Sequence, residues 1–244
     1  MAHKITWLNK EGMTGRSWNP LTGCSKISAG CDNCYAERMS KRLAGRFGYP
    51  EVDPFAVTFH PDKIPLPMTW KKPSMIFTCS MSDLFHRDVA QEWVDAVLST
   101  IQFCDWHTFL ILTKRPEFAR KYTDRFANLP NLWLGVTVEN QGRANQRIPI
   151  LQQLTVSKRF LSVEPMLEQI DVRRYLHAID WVICGGETGQ KARPFNTQWP
   201  MHLREQCQLY NVPFFFKSYG SNSNQGDTGL LTKILLDNDK KFPL

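Results

Sequence analysis

From residue 75 onward the chain alternates short apolar runs with longer segments in which apolar residues recur every three or four positions. The runs are MIFTCS (75–80), TFLILTK (108–114), LWLGVTV (132–138), RFLSVEP (159–165), WVICGGE (181–187) and VPFFFKS (212–218). They are dense in β-branched, aromatic and leucine side chains and lack polar alternation, the pattern of strands buried on both faces of a parallel sheet. Between them, DVAQEWVDAVLSTIQF (88–103) places Val89, Trp93, Val97, Leu98 and Ile101 on one helical face, with Asp88 as its cap. PEFARKYTDRFANL (116–129) opens on a proline suited to a first turn and aligns Phe118, Tyr122 and Phe126. QGRANQRIPILQQL, EQIDVRRYLHAI and QWPMHLREQCQLY fill the remaining slots.

Strand–helix steps in series, with no glycine-rich break, predict an α/β fold. The expectation is a single-domain (β/α) barrel or partial barrel over residues 1–244, with about six to seven parallel strands. A doubly wound open sheet is the competing topology. Upstream lies a cysteine-bearing loop, 22–38. Residues 48–74 read as an extended linker wrapping the surface, because five prolines after Asp53 exclude a regular helix. SYGSNSNQGDTG (218–229) reads as a mobile loop before a short C-terminal tail, loop and tail together spanning 218–244.

Composition narrows the class. Hydrophobic residues make up 42% and charged residues 22%, ordinary for a globular chain with a substantial core. No run approaches the roughly 20 apolar residues of a spanning helix, and MAHKITWLNKEG has no apolar signal core. A cytoplasmic location without membrane association is expected, where disulfides are rare. The net charge of +7 permits a polyanionic partner.

Against that background the stretch TGCSKISAGCDNCYAER stands out: Cys24, Cys31 and Cys34 are spaced C-x6-C-x2-C ahead of a helix that begins near Tyr35. In a reducing compartment such a cluster reads as metal ligands or redox groups rather than as disulfide staples. Zinc normally closes four ligands in paired knuckles, and no second C-x2-C exists in the chain. A 4Fe–4S cluster held by three thiolates would leave one iron open for a substrate or cofactor. Both candidates stand at this point. Cys79, Cys104, Cys184 and Cys207 fall in predicted strands or helix faces and read as packing. His86 reads as an ordinary hydrogen-bonded histidine. The glycines of GGETG lack the G-x-G-x-x-G spacing and read as a turn or close approach.

In a parallel α/β barrel the loops leaving the strand C-termini build the active site. Here those exits carry Ser80, Ser82 and Asp83, then Lys114 and Arg115, then Glu139, Glu164, Glu187 and Lys217.

SWNPLTGCSKISAGCDNCYAERM resembles the signature segment of the phage-associated three-cysteine-motif family, itself similar to radical S-adenosylmethionine (SAM) enzymes. MSDLFHRDV (81–89), LILTKRPE (110–117), WLGVTVENQ (133–141), RFLSVEPML (159–167), ICGGETGQKARPF (183–195) and FFFKSYG (214–220) match in order along nearly the whole chain. The resemblance implies a partial barrel, a 4Fe–4S cluster on Cys24, Cys31 and Cys34, and SAM on the open iron, cleaved to a 5′-deoxyadenosyl radical that abstracts hydrogen from a substrate. The commonest radical SAM motif is C-x3-C-x2-C with an aromatic before the last cysteine; here Asn33 precedes Cys34 and Tyr35 follows it.

Roles follow from that resemblance. Ser80 and Ser82 would bond the methionine ammonium, Lys114 or Arg115 its carboxylate, where the guanidinium offers the better two-pronged geometry, and Glu139 the ribose hydroxyls. Glu164 and Glu187 would contact substrate, and Asp83 would brace its loop. The expected substrate is a nucleobase, modified or not, in phage DNA, with a small-molecule nucleotide or amino acid as the alternative. Phe85, Trp133 and Phe216 are candidate stacking surfaces, with core packing as the default for each. The expected setting is the host cytoplasm, with an electron donor such as a flavodoxin or ferredoxin. The alternative is a zinc-stabilised nucleic-acid-binding protein without catalysis.

Overall fold

The computed structural model describes residues 6–223 and 238–243. Residues 224–237 of the predicted C-terminal loop and tail lie outside the described residues, as do 1–5 and 244. The chain divides into two compact units. One comprises Met1–Ile27, Cys34–Leu134 and Leu154–Ser157; the other comprises Ser28–Asn33, Gly135–Gln153 and Lys158–Leu244.

The first unit contains β1 (Thr14–Trp18), β2 (Leu21–Thr22), α1 (Tyr35–Leu43), β3 (Thr58–Phe59), β4 (Ser74–Thr78), α2 (Gln91–Phe103), β5 (Thr108–Thr113), α3 (Pro116–Ala119), α4 (Thr123–Ala127) and the start of β6 (Leu132–Thr137). The second takes the rest of β6, then α5 (Gln141–Gln152), β7 (Lys158–Val163), β8 (Trp181–Gly185), α6 (Gln198–Leu209) and β9 (Phe214–Ser218). The sheet has seven strands in the order β1-β4-β5-β6-β7-β8-β9. The pairs β1–β4, β4–β5, β7–β8 and β8–β9 are all parallel. This is the α/β partial-barrel class that the alternating runs predict. All six apolar runs are strands, because residues such as Ile76, Leu110, Leu134, Leu161 and Val182 are fully buried and find apolar cover on either side. β1 adds a seventh strand ahead of the six.

In the first unit, three expectations change. Asp88 does not cap α2: that helix starts at Gln91 with Ala90 at its N-cap, and the Asp88 N–H instead donates to His86 Nδ1 at 3.1 Å. The 116–129 segment is not one helix, since a 3-10 turn over Arg120–Tyr122 separates α3 from α4. A 3-10 turn advances each residue further around the axis than an α-turn does, so the predicted stripe breaks. Tyr122 and Phe126 are buried while Phe118 is 45% exposed. The linker is more structured than an extended strap. β3 pairs antiparallel with β2, and short 3-10 turns span Pro61–Lys63 and Leu66–Thr69. The prolines do exclude an α-helix there, but Pro67 is buried and Trp18 Nε1 donates to the Lys63 carbonyl at 2.7 Å.

In the second unit, the segment EQIDVRRYLHAI yields only a 3-10 helix, Arg173–Ala178. Gly135 lies within β6 and leaves room for the Phe160 ring, since a Cβ there would sit 2.5 Å from it. Fully buried Trp181 anchors the core near β9. Its Nε1 donates to the Lys241 carbonyl at 2.8 Å, and Phe242 packs on its ring at 5.4 Å. Residues 238–243 run along β9: Phe216 N donates to Asp239 O at 2.8 Å, Lys241 N donates to Phe214 O at 3.1 Å, and Phe215 and Lys240 form an antiparallel bridge. Arg204 of α6 pairs with Asp239. Among the described residues, no helix is long and apolar enough to cross a membrane.

Candidate functional site

The seven cysteines fall into two groups. Cys79, Cys104, Cys184 and Cys207 are buried, and burial pushes their thiols up, Cys79 to about 12. They pack, as the sequence suggests. Cys24, Cys31 and Cys34 are partly exposed on the 22–38 loop, and none is in a disulfide.

In the first unit, the loop entrance is pinned from two sides. Gly23 has φ +86°, and a Cβ there would sit 2.0 Å from the Ala56 carbonyl oxygen. Its N–H donates to Met81 O at 3.0 Å, and Cys24 N donates to Phe55 O at 3.1 Å. The β4 exit supplies the other hold. Ser80 Oγ donates to Asn19 Oδ1 and Ser82 Oγ donates to the Leu21 carbonyl, each at 3.1 Å. Both hydroxyl protons are thus committed to the approach of the cysteine loop, leaving oxygen lone pairs to accept.

Asp83 is the hub of the next exit. Its Oδ1 accepts from Phe85 N at 3.1 Å and Thr113 Oγ1 at 2.7 Å, while Oδ2 accepts from Lys114 N at 3.0 Å and Arg115 Nη1 at 3.4 Å. It braces the loop, as expected. Arg115, 4% exposed, reaches past it to the cysteine loop. Nη1 lies 3.3 Å from Cys24 Sγ, and Nη2 donates to Ser25 O at 2.7 Å and Ser25 Oγ at 3.1 Å. His86 completes the group. Its Nδ1 accepts from Asp88 N, so Nε2 carries the proton and donates to Ser25 Oγ at 2.6 Å. Burial and the nearby Arg115 charge lower its pKa, keeping the ring neutral. A cavity of about 490 Å³ opens beside this group, with Cys24, Ser25, Glu37, Phe55 and His86 in its walls. Cys34 precedes α1 and packs with Phe55 against Ala36, Tyr49 and Met81. Phe85 is buried against Tyr122 and Phe126 and offers no stacking face.

In the second unit, Ser28–Asn33 is held by two carboxylates. Glu139 is wholly buried; Oε2 accepts from Arg147 Nη1 at 2.7 Å and Oε1 from Gly30 N at 3.4 Å. Gly30 permits that approach, because a Cβ there would lie 3.0 Å from Glu139 Cδ. Burial lowers the Arg147 pKa, and Glu139 offsets part of the effect. Cys31 is within electrostatic reach of the same guanidinium and lies 3.9 Å from Ser28 Oγ. Glu187 accepts from Arg193 Nε at 2.9 Å and Nη2 at 2.5 Å, and from Asn33 Nδ2 at 2.9 Å. Burial raises its pKa, but the Arg193 and Asn33 bonds outweigh that and leave it low. Arg193 also donates to the Ala29 carbonyl and pairs with Asp32 at 3.3 Å. Glu164 is ion-paired with Lys217 at 2.6 Å. Trp133, in the first unit, and Phe216 are buried, so neither offers the stacking surface considered from sequence.

Gly186 and Gly220 explain the GGETG stretch: a Cβ on Gly186 would lie 2.3 Å from Tyr219 O, and one on Gly220 2.3 Å from Glu187 O. The glycines let two backbone segments touch. Sequence reasoning missed Arg147 and Arg193. Arg147 shares the buried face of α5 with Ala144, Ile148 and Leu151, so a charge at an apolar-stripe position was a usable signal. Arg193 follows no periodic element and gave none.

The three loop thiols are donors suited to a thiolate-ligated cluster: accessible, not in disulfides, and in Cys24 already receiving a hydrogen bond. Among the described residues, no group of three His, Cys, Asp or Glu is gathered to hold a single metal ion.

No curated protein matches the chain. Among solved structures, spore photoproduct lyase complexed with dinucleoside spore photoproduct is similar at 11% identity and TM-score 0.49, covering 84% of this chain and 75% of that one. A mutant of spore photoproduct lyase with bound AdoMet and dinucleoside spore photoproduct gives the same four values. The family profile of DUF5131, described as a protein of unknown function, matches residues 3–239. The chain therefore belongs to the DUF5131 family.

Proposed function

We propose that this chain is a radical SAM-type enzyme. The reading is carried by one observation: three accessible cysteines share an eleven-residue stretch, while the other four are buried as core. Cys24, Cys31 and Cys34 would hold a 4Fe–4S cluster, which when bound supplies the single electron that splits SAM into methionine and a 5′-deoxyadenosyl radical. The chain's own residues support this reading by what they hold. Asp83 and Arg115 fix the Cys24–Ser25 end of the loop. Glu139 fixes Gly30, next to Cys31, and Glu187 with Arg193 fixes Ala29, Asp32 and Asn33.

For SAM itself, Ser80 and Ser82 retain lone pairs for its ammonium, and Lys114 is the better partner for its carboxylate. The four Nη hydrogens of Arg115 are accounted for by Cys24, Asp83 and Ser25. A nucleic-acid or nucleotide substrate is the class we favour. It suits the net charge of +7, nearly half of which falls in residues 26–46, with five Lys and Arg against two acids.

The test is anaerobic reconstitution with iron and sulfide, then reduction with dithionite in the presence of SAM, with 5′-deoxyadenosine as the product assayed. Iron near four per chain and nucleoside formation abolished by Cys31→Ala is the expected result. Stoichiometric zinc with no 5′-deoxyadenosine would instead establish the zinc-stabilised binding protein.

A further inference from the structure

Arg115 is almost fully buried, and its Nη1 meets the sulfur of Cys24. Its position is set by a short chain of causes. β5 ends at Thr113, whose hydroxyl donates to Asp83 and accepts from Arg115 N at 2.8 Å. Pro116 opens α3 directly after it. The side chain leaves this fixed backbone, meets Asp83 part-way, and spreads its planar fork over Cys24 and Ser25. A guanidinium used in this manner has its geometry fixed at four hydrogens.

Hydrogen bonds to thiolate sulfur are one of the means by which a protein sets the reduction potential of an iron–sulfur cluster, and partners of ligands fix ligand orientation. A donor on the sulfur, backed by positive charge, withdraws electron density and favours the reduced, more negative state. We infer that Arg115 is a positioning residue for the ligand Cys24, orienting its sulfur and raising the potential of the bound cluster. The inference deepens the proposed function and rests on it.

The experiment reconstitutes wild-type protein, Arg115→Met, Arg115→Lys and Ser25→Ala, confirms iron and sulfide content, and titrates each anaerobically with dithionite through redox mediators. The reduced cluster is followed by electron paramagnetic resonance. Arg115→Met removes the sulfur's donor and the charge. Its reduced-to-oxidised ratio at a fixed potential should fall about tenfold, equivalent to about 59 mV for a one-electron couple. Arg115→Lys keeps the charge near Asp83 but loses the fork, and should shift the ratio in the same direction by less. Ser25→Ala removes the hydroxyl that accepts from Arg115 Nη2 and His86 Nε2 but leaves the Nη2 bond to the Ser25 carbonyl and the sulfur contact. Its ratio should stay within 1.5-fold of wild type; a fall as large as that of Arg115→Met would overturn the inference.

A fully loaded Arg115→Met protein whose ratio stays within twofold of wild type overturns the inference and leaves the cluster reading standing. Should that variant fail to fold, the Lys variant decides: a shift below 1.5-fold, about 10 mV on the same one-electron scale, overturns it. Failure of wild-type protein to take up iron and sulfide overturns the proposed function, and this inference with it.

Discussion

Asn33, the residue before Cys34, donates from its side chain to the same Glu187 oxygen that Arg193 Nε holds, with the two bonds both at 2.9 Å. One carboxylate oxygen thus fixes a loop residue and the arginine that grips that loop at Ala29 and Asp32. Replacing Glu187 with Gln removes the charge from a buried hub while keeping its shape. The loss of charge-assisted bonding should cost about 1–3 kcal/mol, read as a lower urea midpoint with unchanged slope.

Gly23 and Gly30 bracket Cys24 in sequence and respond differently to a methyl group. Gly23→Ala imposes a positive φ on alanine and drives its Cβ into the Ala56 carbonyl. It should cost at least about 2 kcal/mol. Gly30→Ala has no such backbone strain and meets only the Glu139 side chain. It should cost under about 1.5 kcal/mol, because a side chain yields where a backbone cannot. Thermal unfolding of both variants side by side checks the order.

Three buried histidines make the fold acid-sensitive. Burial lowers the pKa of His60, His86 and His107 below their ordinary value. The unfolded chain therefore binds more protons than the folded one as pH falls through about 6.5, so stability is present above that value and declines below it. Urea midpoints measured from pH 7.5 to 5 should fall steadily across the lower half of that range. A flat profile would contradict the assignment. His107 adds to the effect, since its Nδ1 is buried without a hydrogen-bond partner while Nε2 meets the Pro67 carbonyl at 3.1 Å.

Alkylation should sort the cysteines by burial. Native protein treated with iodoacetamide at pH 8 and mapped by mass spectrometry should carry label on Cys24, Cys31 and Cys34. It should carry none on Cys79, Cys104, Cys184 and Cys207 until denatured.

The break between α3 and α4 separates two phenylalanines that the sequence pattern treats alike. Phe126→Ala should cost about 3–5 kcal/mol, while Phe118→Ala should stay within about 0.5 kcal/mol. Denaturant titration of the two variants reads the difference directly.

The strands were legible because burial on both faces leaves an unbroken apolar run, and Met75–Phe77, Leu110–Ile111 and Trp181–Cys184 show it plainly. β1 was missed because Thr14–Trp18 is polar until Trp18 and largely unburied. The broken helix was illegible because spacing reports an ideal periodicity, whereas Arg120–Tyr122 tightens the winding. At the site, residue type could mark Cys24, Cys31 and Cys34 and the charged strand exits. It could not show which acids meet which arginines. Glu139 with Arg147, and Glu187 with Arg193, are pairings made by tertiary packing between residues six to eight apart, a separation that carries no periodic mark.

Residues 238–243 lie along β9 as an antiparallel border, held to Trp181 by the Lys241 carbonyl and the Phe242 ring. A strand left with bare N–H and C=O groups is a template for a second copy of the same chain. The short segment after residue 237 therefore acts as a selvedge: it finishes the edge of the second unit's sheet, and a chain cut ahead of it would be prone to self-associate through β9 while the cysteine loop kept its own supports.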